Sequence, residues 1–508
     1  MNYIKPADRH QTIMFYSIDD MVEKDNAVRL IDLFIDKFVH DNPKEFIKSN
    51  ESNYGAPSYH PSVMLKLYFY GYLNQIKSSR RLECESYRNL ELIWLLGNLQ
   101  PDHWTISNFR KSQGDKIKKV WHLFKLFLKS NKYIDLELVA IDGTKVKAYT
   151  KREMLTLERV KKTIENSESK LEEYLKNLEL HDRNDTDQEE LELSIKSKES
   201  AIEESTTKET ETKETLVEDS TKKKQELLEK TVKLKSKLKE YKKHKEHMES
   251  KGLKRLAVSE PEVNLVKSRD GKHPGYNVQA VIDSKNHMIA EIAETTDEND
   301  LNQLIPMLTK VNETYKEKPV KTIADKGYYN LNEIEKVVSP DEMNIFVSPL
   351  KDKDSNGIEF KYDAEQNMYV CSEGKQLLLY SRNAKKGSSI VDRYRCKDCK
   401  NCRQFGTCTT SKQGRDHIRH KNQEFRDKYE ESMRGTECEK MMKERKCLAE
   451  HPFGTIKYLM GKIPLILRGI EKVSVEIKLY AMAYNFKRLT NISSFDTITE
   501  QIAAFSCK

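Results

Sequence analysis

Apolar residues recur at three- and four-residue spacing in "PSVMLKLYFYGYLNQI" and "KKVWHLFKLFLKS", a pattern that predicts amphipathic helices in the first quarter of the chain. Between them, "SSRRLECESYRN" and "PDHWTISNFRK" read as short elements parted by Gly97 and Pro101, so residues 1–132 are predicted to form a helical domain. The pattern changes after that. From Thr144 to Lys251 the chain holds neither Gly nor Pro, Lys, Glu, Ser and Thr dominate, and aromatic residues almost vanish, so this stretch is not a globular core. Val160, Ile164, Ser167, Leu171, Tyr174 and Leu178 alternate steps of four and three, as do Leu227, Thr231, Leu234, Leu238, Tyr241, Lys245 and Met248. Two heptad seams of this kind predict an antiparallel coiled-coil hairpin inserted at 151–255, with a mobile tip in the polar stretch from His181 to about Thr221. A long solvated segment is the other reading.

Strand patterns surround the insertion. "LVAIDGTKV" (138–146) is a buried strand that delivers one carboxylate, Asp142, followed by a glycine. "YNVQAVIDSKNHMIAEIAE" alternates apolar and polar residues on both sides of "DSKN", a hairpin signature. "DLNQLIPMLTKV" reads as a helix, "VKTIADKGY" as a short strand ending on Asp325, "LNEIEKVV" as a helix and "NIFVSP" as a strand. This order predicts an α/β fold with a mixed sheet, its first part at 133–150 and 256–350, followed by a Cys-rich insertion at 351–422 and closing helices at 423–508. Asp142 and Asp325 then stand at the carboxyl ends of strands, where functional sites gather in α/β sheets.

Composition narrows the function classes. The 508 residues suffice for two or three domains. No amino-terminal signal region and no run near the roughly 20 apolar residues of a bilayer span are present, which predicts a cytosolic protein without membrane segments. Between Pro61 and Ser130 there are 12 basic and 5 acidic side chains, a surplus of 7 that nearly equals the +8 of the whole chain. Arg80, Arg81, Arg88, Arg110 and Lys111 interleave the short helices there, which suits either a DNA-binding module or a helical bundle with a wet outer face. "CKDCKNCRQFGTC" places Cys396, Cys399, Cys402 and Cys408 as C-x2-C-x2-C-x5-C, with Cys371 upstream. In a reducing compartment such spacing points to a structural Zn²⁺ before disulfides. An iron–sulfur cluster shares the first three positions but lacks the closing proline, and no metal at all is the third reading.

If Asp142 and Asp325 come from neighbouring strands, their like charges repel unless a cation lies between them. Mg²⁺ takes a few carboxylate oxygens plus water and phosphate, so a third acid would complete the set. Glu450 in "KERKCLAEHPFGTIKYLMG" is the candidate, because Lys457 follows seven positions later on nearly the same helix face, although Pro452 demands a kink or a helix start nearby. Asp135, Asp283 and Asp300 compete less well: Asp135 precedes the strand, Asp283 fits the hairpin turn and Asp300 fits a helix start. A phosphatase of the haloacid dehalogenase type is excluded, since the nucleophile position holds Ala140.

These stretches resemble bacterial insertion-sequence transposases of the DDE type. "AIDGTKVKA" is similar to their first-acid strand, "HPGYNVQAVID" to the hairpin, "IADKGYYN" to the second-acid strand and "EHPFGTIKYLMG" to the third-acid helix of the E-x6-K branch. "HPSVMLKLYFYGY" through "PDHWTISNFRK" resembles the helical region that precedes the catalytic domain. The Tyr and Arg that the branch favours upstream of the Glu are Lys443 and Lys446 here, with Arg445 adjacent. The spacing agrees: 183 residues separate Asp142 from Asp325, the insertion takes 105, and about 78 remain for hairpin, helix and strand. The resemblance implies a ribonuclease H-like catalytic domain. It also implies two Mg²⁺ (or Mn²⁺) ions about 4 Å apart on Asp142, Asp325 and Glu450, and DNA contacts from Lys457, Arg445 and Lys446 beside those of the amino-terminal domain. The expected partner is double-stranded DNA, both inverted repeats and target, bound by a homodimer. A catalytically silent DNA-binding repressor and a scaffold using the coiled coil and zinc knuckle are the competing functions.

Overall fold

The computed structural model describes residues 17–47, 58–150, 154–199, 210–268, 271–338, 344–348, 359–386, 389–433, 435–461 and 463–506, with the backbone alone for 181–199 and 210–224. It divides into two compact units, one of residues 1–146 with 277–508 and one of 147–276. The division thus falls at the end of the first strand, and the helices of 1–132 are not a separate body.

In the first unit, α1 (Ala27–Asp41) starts behind Asn26, whose side chain accepts from the Val28 amide. Then come α2 (Pro43–Phe46), α3 (Pro61–Leu73), α4 (Ser79–Arg88), α5 (Leu90–Leu95), α6 (His103–Ser112) and α7 (Gly114–Ser130). Proline at the first position of α3 and Asp102 at the cap of α6 fix where those helices begin. Phe34 of α1 is fully buried, edge-on to Phe124 and Phe127 of α7. β1 (Leu138–Lys147) follows directly.

The second unit holds β2 (Leu155–Thr156), α8 (Leu157–Glu199), α9 (Thr210–Ser250), β3 (Arg255–Leu256) and β4 (Asn264–Ser268), which pairs with the opening residues of β5 (Gly271–Asp283). The two long helices pack antiparallel: Lys161 meets Glu249 at 3.4 Å and Lys242 meets Glu168 at 2.8 Å. Val160, Ile164 and Met248 form a small core with Leu238 and Tyr241 beside it, so the least exposed residues are those of the four-and-three seams. Of the polar stretch from His181 to about Thr221 expected as a mobile tip, 181–199 and 210–221 continue the two helices, and 200–209 lie outside the described residues.

Returning to the first unit, β5 continues into β6 (Ile289–Thr295) as an antiparallel hairpin. α10 (Leu304–Tyr315), β7 (Lys321–Ala324), α11 (Leu331–Ile334) and β8 (Ile345–Val347) complete a mixed sheet of order β6-β5-β1-β7-β8, in which β1, β7 and β8 are parallel. The sequence pattern placed helices from Asp300 and through Val338. The structure starts α10 four residues later, because the Asp300 side chain is held elsewhere, and trims α11 to one turn. A second, antiparallel sheet has the order β13-β12-β11-β10-β9, built from β9 (Phe360–Asp363), β10 (Met368–Cys371), β11 (Gln376–Lys386), β12 (Ser389–Arg395) and β13 (Asp416–His420). The chain closes with α12 (Gln423–Met433), α13 (Thr436–Met460), α14 (Ile470–Ile492) and α15 (Phe495–Ala504). No helix among the described residues is long and apolar enough to cross a membrane.

α14 joins the layers. Its Phe486 packs on Phe34 and Phe69, and its Asn485 bonds the Ile289 backbone of β6 at 2.8 and 2.9 Å. Glu476 of α14 is fully buried, accepting from the Tyr72 hydroxyl at 3.1 Å and from the Ile466 and Leu467 amides at 3.0 and 3.1 Å. Burial pushes its carboxyl up, and Arg110 opposes that most strongly. Arg110 itself is 5% exposed: it donates to the Lys77 carbonyl at 3.1 Å and stands over the Tyr68 ring at 5.4 Å. The expectation that Arg110 contacts DNA is therefore corrected, because its guanidinium serves the interior.

Arg110→Ala leaves Glu476 without its nearest balancing charge and is expected to destabilise the chain by about 3 kcal/mol, whereas exposed Arg80→Ala stays within about 0.5 kcal/mol. Urea unfolding of both variants checks this; equal effects would contradict it.

Candidate active site at the strand ends

The parallel register ends at Ile141 with Ala324, so Asp325, one residue past β7, and Asp142 emerge side by side; the expectation of a strand end at Asp142 is corrected, because β1 runs on to Lys147 and Asp142 lies midway along it. Asp142 Oδ1 accepts from the Gly143 amide at 2.8 Å, and Asp325 Oδ1 from the Gly327 amide at 2.7 Å. A third acid joins them. Asp300, ahead of α10, accepts at one oxygen from Lys145 (2.9 Å), Asn277 (2.7 Å) and Gln279 (2.6 Å). Gln279 in turn accepts from the hydroxyl of buried Tyr328.

The two glycines are steric requirements of this network. A Cβ on Gly143 would stand 2.5 Å from Gln279 Nε2 and 2.8 Å from Asp300 Oδ1, and one on Gly327 would stand 2.8 Å from Asp325 Oδ1. Asn277 and Gln279 are 0% and 1% exposed. The alternation in "YNVQAVID" was therefore not a wet face against a dry one: its polar positions point into the site. That buried polar pair was the sequence signal for Asp300, and it is legible only once the strand is known to be covered on both sides.

Electrostatics follow from the crowding. The Asp142 carboxyl is pushed up from its ordinary 3.8 to about 6, first by burial and then by the charges of Asp325 and Asp300, while Arg445 acts in the opposite sense. Arg445, on α13, brings Nη1 to 3.8 Å from Asp142 Oδ2. Glu450 and Lys457 lie farther along α13, which runs unbroken through Pro452, and both are exposed. The structure thus brings Asp142 and Asp325 together, adds Asp300 and Arg445, and leaves Glu450 at the surface. Among the described residues no three His, Cys, Asp or Glu side chains are already grouped for a metal. The chemistry of Asp142 and Asp325 nevertheless fits a divalent ion, since an added cation removes the repulsion that raises Asp142. Of the basic candidates, Arg80, Arg81, Lys111 and Lys446 are exposed. Cys396, Cys399, Cys402 and Cys408 line a separate cavity in the second sheet.

Two stretches match family models: residues 16–112 match a transposase domain (DUF772), and residues 370–490 match a transposase DDE domain. The first spans Arg80, Arg81, Arg110 and Lys111, the second Arg445, Lys446, Glu450 and Lys457. No curated protein and no solved structure is similar enough to match.

The raised acid gives a stability test. Between 3.8 and about 6 the folded chain holds a proton at Asp142 that the unfolded chain has released, so stability falls as pH rises through that window and stays reduced above it. Asp142→Asn, measured in EDTA, is expected to be more stable than the parent by about 3 kcal/mol at pH 8, with the difference vanishing below pH 4. Thermal unfolding at both pH values reads it; a variant no more stable at pH 8 would mean that Asp142 carries no such cost.

Proposed function

Given that the chain is a DDE transposase of the insertion-sequence type, we propose that it cuts the phosphodiester bonds at its element's terminal inverted repeats and joins the freed 3′-hydroxyls to target DNA through a site centred on Asp142 and Asp325. The observation that carries this is the side-by-side emergence of two carboxylates from parallel strands, with a third acid and an arginine against them. The strand order β6-β5-β1-β7-β8, antiparallel hairpin first and parallel strands after, supports a ribonuclease H-like catalytic domain. The antiparallel packing of α8 and α9 along heptad seams supports a coiled-coil insertion.

Asp142 and Asp325 would hold divalent metal in carboxylate form, and Glu450, exposed on α13, would complete the set by turning in from the surface when metal and DNA bind. Bound there, Mg²⁺ or Mn²⁺ supplies Lewis-acid stabilisation of the phosphoryl oxygens and lowers the pKa of the attacking water or hydroxyl. The chain's own residues do the rest. Asn277, Gln279 and Lys145 fix Asp300 behind the site and so limit where Asp142 and Asp325 can move. Arg445 balances Asp142 before DNA arrives, and its guanidinium would take a phosphate oxygen. Lys457 offers a point charge to the strand beyond the cut, and Arg80, Arg81, Lys111 and Lys446 add sequence-independent phosphate contacts. In the cut, the water oxygen bonds to phosphorus as the 3′-oxygen leaves. In the transfer, that 3′-oxygen bonds to a target phosphorus and a target 3′-oxygen leaves, so no covalent protein intermediate is needed. Two ends processed together require at least a dimer on DNA.

Asp142→Asn, Asp325→Asn and Glu450→Gln are each expected to lower magnesium-dependent nicking of the coding region's own flanking DNA by at least about 10²-fold, the scale of one lost transition-state contact, while gel-shift affinity is kept. Lys457→Ala should instead weaken binding and reduce the salt slope by about 1. Full activity in Glu450→Gln with loss in Asp300→Asn would give the third position to Asp300. Full activity in Asp142→Asn would end this reading of the site.

A further inference from the structure

The second sheet holds a cluster of nucleophilic, metal-ligating side chains that the cutting chemistry does not use. Cys371 ends β10, Cys396 directly follows β12, Cys399 sits in the short 3-10 turn Asp398–Asn401, and Cys402 and Cys408 lie in the loop that leads to β13. All five are free thiols, and all five line one cavity with Phe360 and Arg415. Thiols bond hydrogen weakly, so five of them around a single hollow are poor packing and poor hydrogen bonding at once. As a donor set, however, they select a soft or borderline ion held tetrahedrally.

The sequence spacing nominates the four clustered cysteines. The structure separates them. Cys371 packs against the buried group formed by Cys396, Cys399, Tyr369, Leu377 and Tyr394. Cys402 and Cys408 line the same cavity from the loop that leads to β13, so the fold groups Cys371 with Cys396 and Cys399 and leaves one of the two loop thiols to complete a set of four. The backbone is already shaped around this arrangement. The Arg415 amide donates to Cys399 Sγ at 3.4 Å, the Cys396 amide donates to the Arg415 carbonyl at 3.1 Å, and Arg415 Nη1 donates to the Cys408 carbonyl at 3.0 Å. Gly414 has φ +98° and packs so closely on the Cys396 carbonyl that a Cβ would stand 1.7 Å from it, so the loop can close over the thiols only with glycine there.

We propose that Cys371, Cys396 and Cys399 bind one Zn²⁺ as thiolates, with one thiol of the Cys402–Cys408 loop as the fourth ligand. Since these thiols are not yet grouped around a common point, they reach it by rotation between χ1 wells inside the cavity. Binding releases four protons, one from each thiol, with no change of oxidation state, so zinc uptake is steeply pH-dependent. The ion would pin the end of β10 to the β12–β13 connection, closing a sheet whose strands have few buried apolar residues of their own. This site does not depend on the transposase reading.

The test uses the purified full-length chain. Elemental analysis is expected to find about one zinc per chain, lost by more than about tenfold in Cys371→Ser and in one of Cys402→Ser and Cys408→Ser, and retained in the other. Because Cys371→Ser also removes a residue packed on the buried group of this sheet, Cys371→His is loaded with Co²⁺ alongside the parent. The parent should show a four-thiolate visible spectrum, and Cys371→His should shift it. Zinc kept in Cys371→Ser, zinc kept in both or lost in both of the loop variants, an unshifted cobalt spectrum in Cys371→His, iron in place of zinc, or no metal at all would each overturn the assignment.

Discussion

Crowding carboxylates at the edge of a sheet is unfavourable on two counts, because each loses water and each repels the others. Asp142, Asp325 and Asp300 are nonetheless gathered there, and much of the surrounding sequence is explained by what makes the gathering tolerable. Backbone amides of Gly143 and Gly327 bond two of the acids, three side-chain donors converge on the third, and Arg445 supplies the nearest positive charge. The arrangement is still not neutralised, since Asp142 remains pushed up to about 6. A bound cation would relieve that residual cost.

Holding that arrangement demands stiffness behind it. The strands are fixed from below by α14, whose Asn485 bonds the β6 backbone while its Phe486 enters the aromatic cluster of α1, α3 and α7. Buried charges repeat the theme: Lys125 of α7 is paired with Glu291 of β6, and Glu476 of α14 is bonded by Tyr72 and two amides beside Arg110. Breaking any of these leaves one buried charge uncompensated, so they lock the relative placement of helices and sheet more firmly than apolar packing alone would. The amino-terminal helices therefore brace the sheet that carries the acids.

What was legible in the sequence was what local pattern encodes. The β1 and β7 strands, the β5–β6 hairpin and the four-and-three seams of α8 and α9 all follow from periodicity, and the approach of Asp142 to Asp325 follows from both lying one step past the buried, paired run of their strands, although β1 itself continues to Lys147. Features set by tertiary contact were not legible. Asp300 looked like a helix start because its neighbours carry the helix pattern, yet its side chain is held by β5 and β1. Arg110 sits in a basic stretch and reads as a DNA contact, but the α6 face that carries it turns inward to Tyr68, Tyr72 and Glu476. Cys371 is 25 residues from the next cysteine, and only the β10–β11–β12 pairing brings it to the others.

The long interruptions of the chain are consistent with this division. One lies between β1 and β5, the other between β8 and α12, so both leave the sheet at strand ends and neither breaks the paired register on which the acids depend. Loop-closure entropy grows only slowly with length, and a segment with its own core, such as the Val160–Met248 group or the Tyr369–Tyr394 group, adds little strain to the strands it joins. Accessory modules can therefore lengthen the chain between the acids by more than a hundred residues while the site itself stays fixed by four residue pairs between β1 and β7.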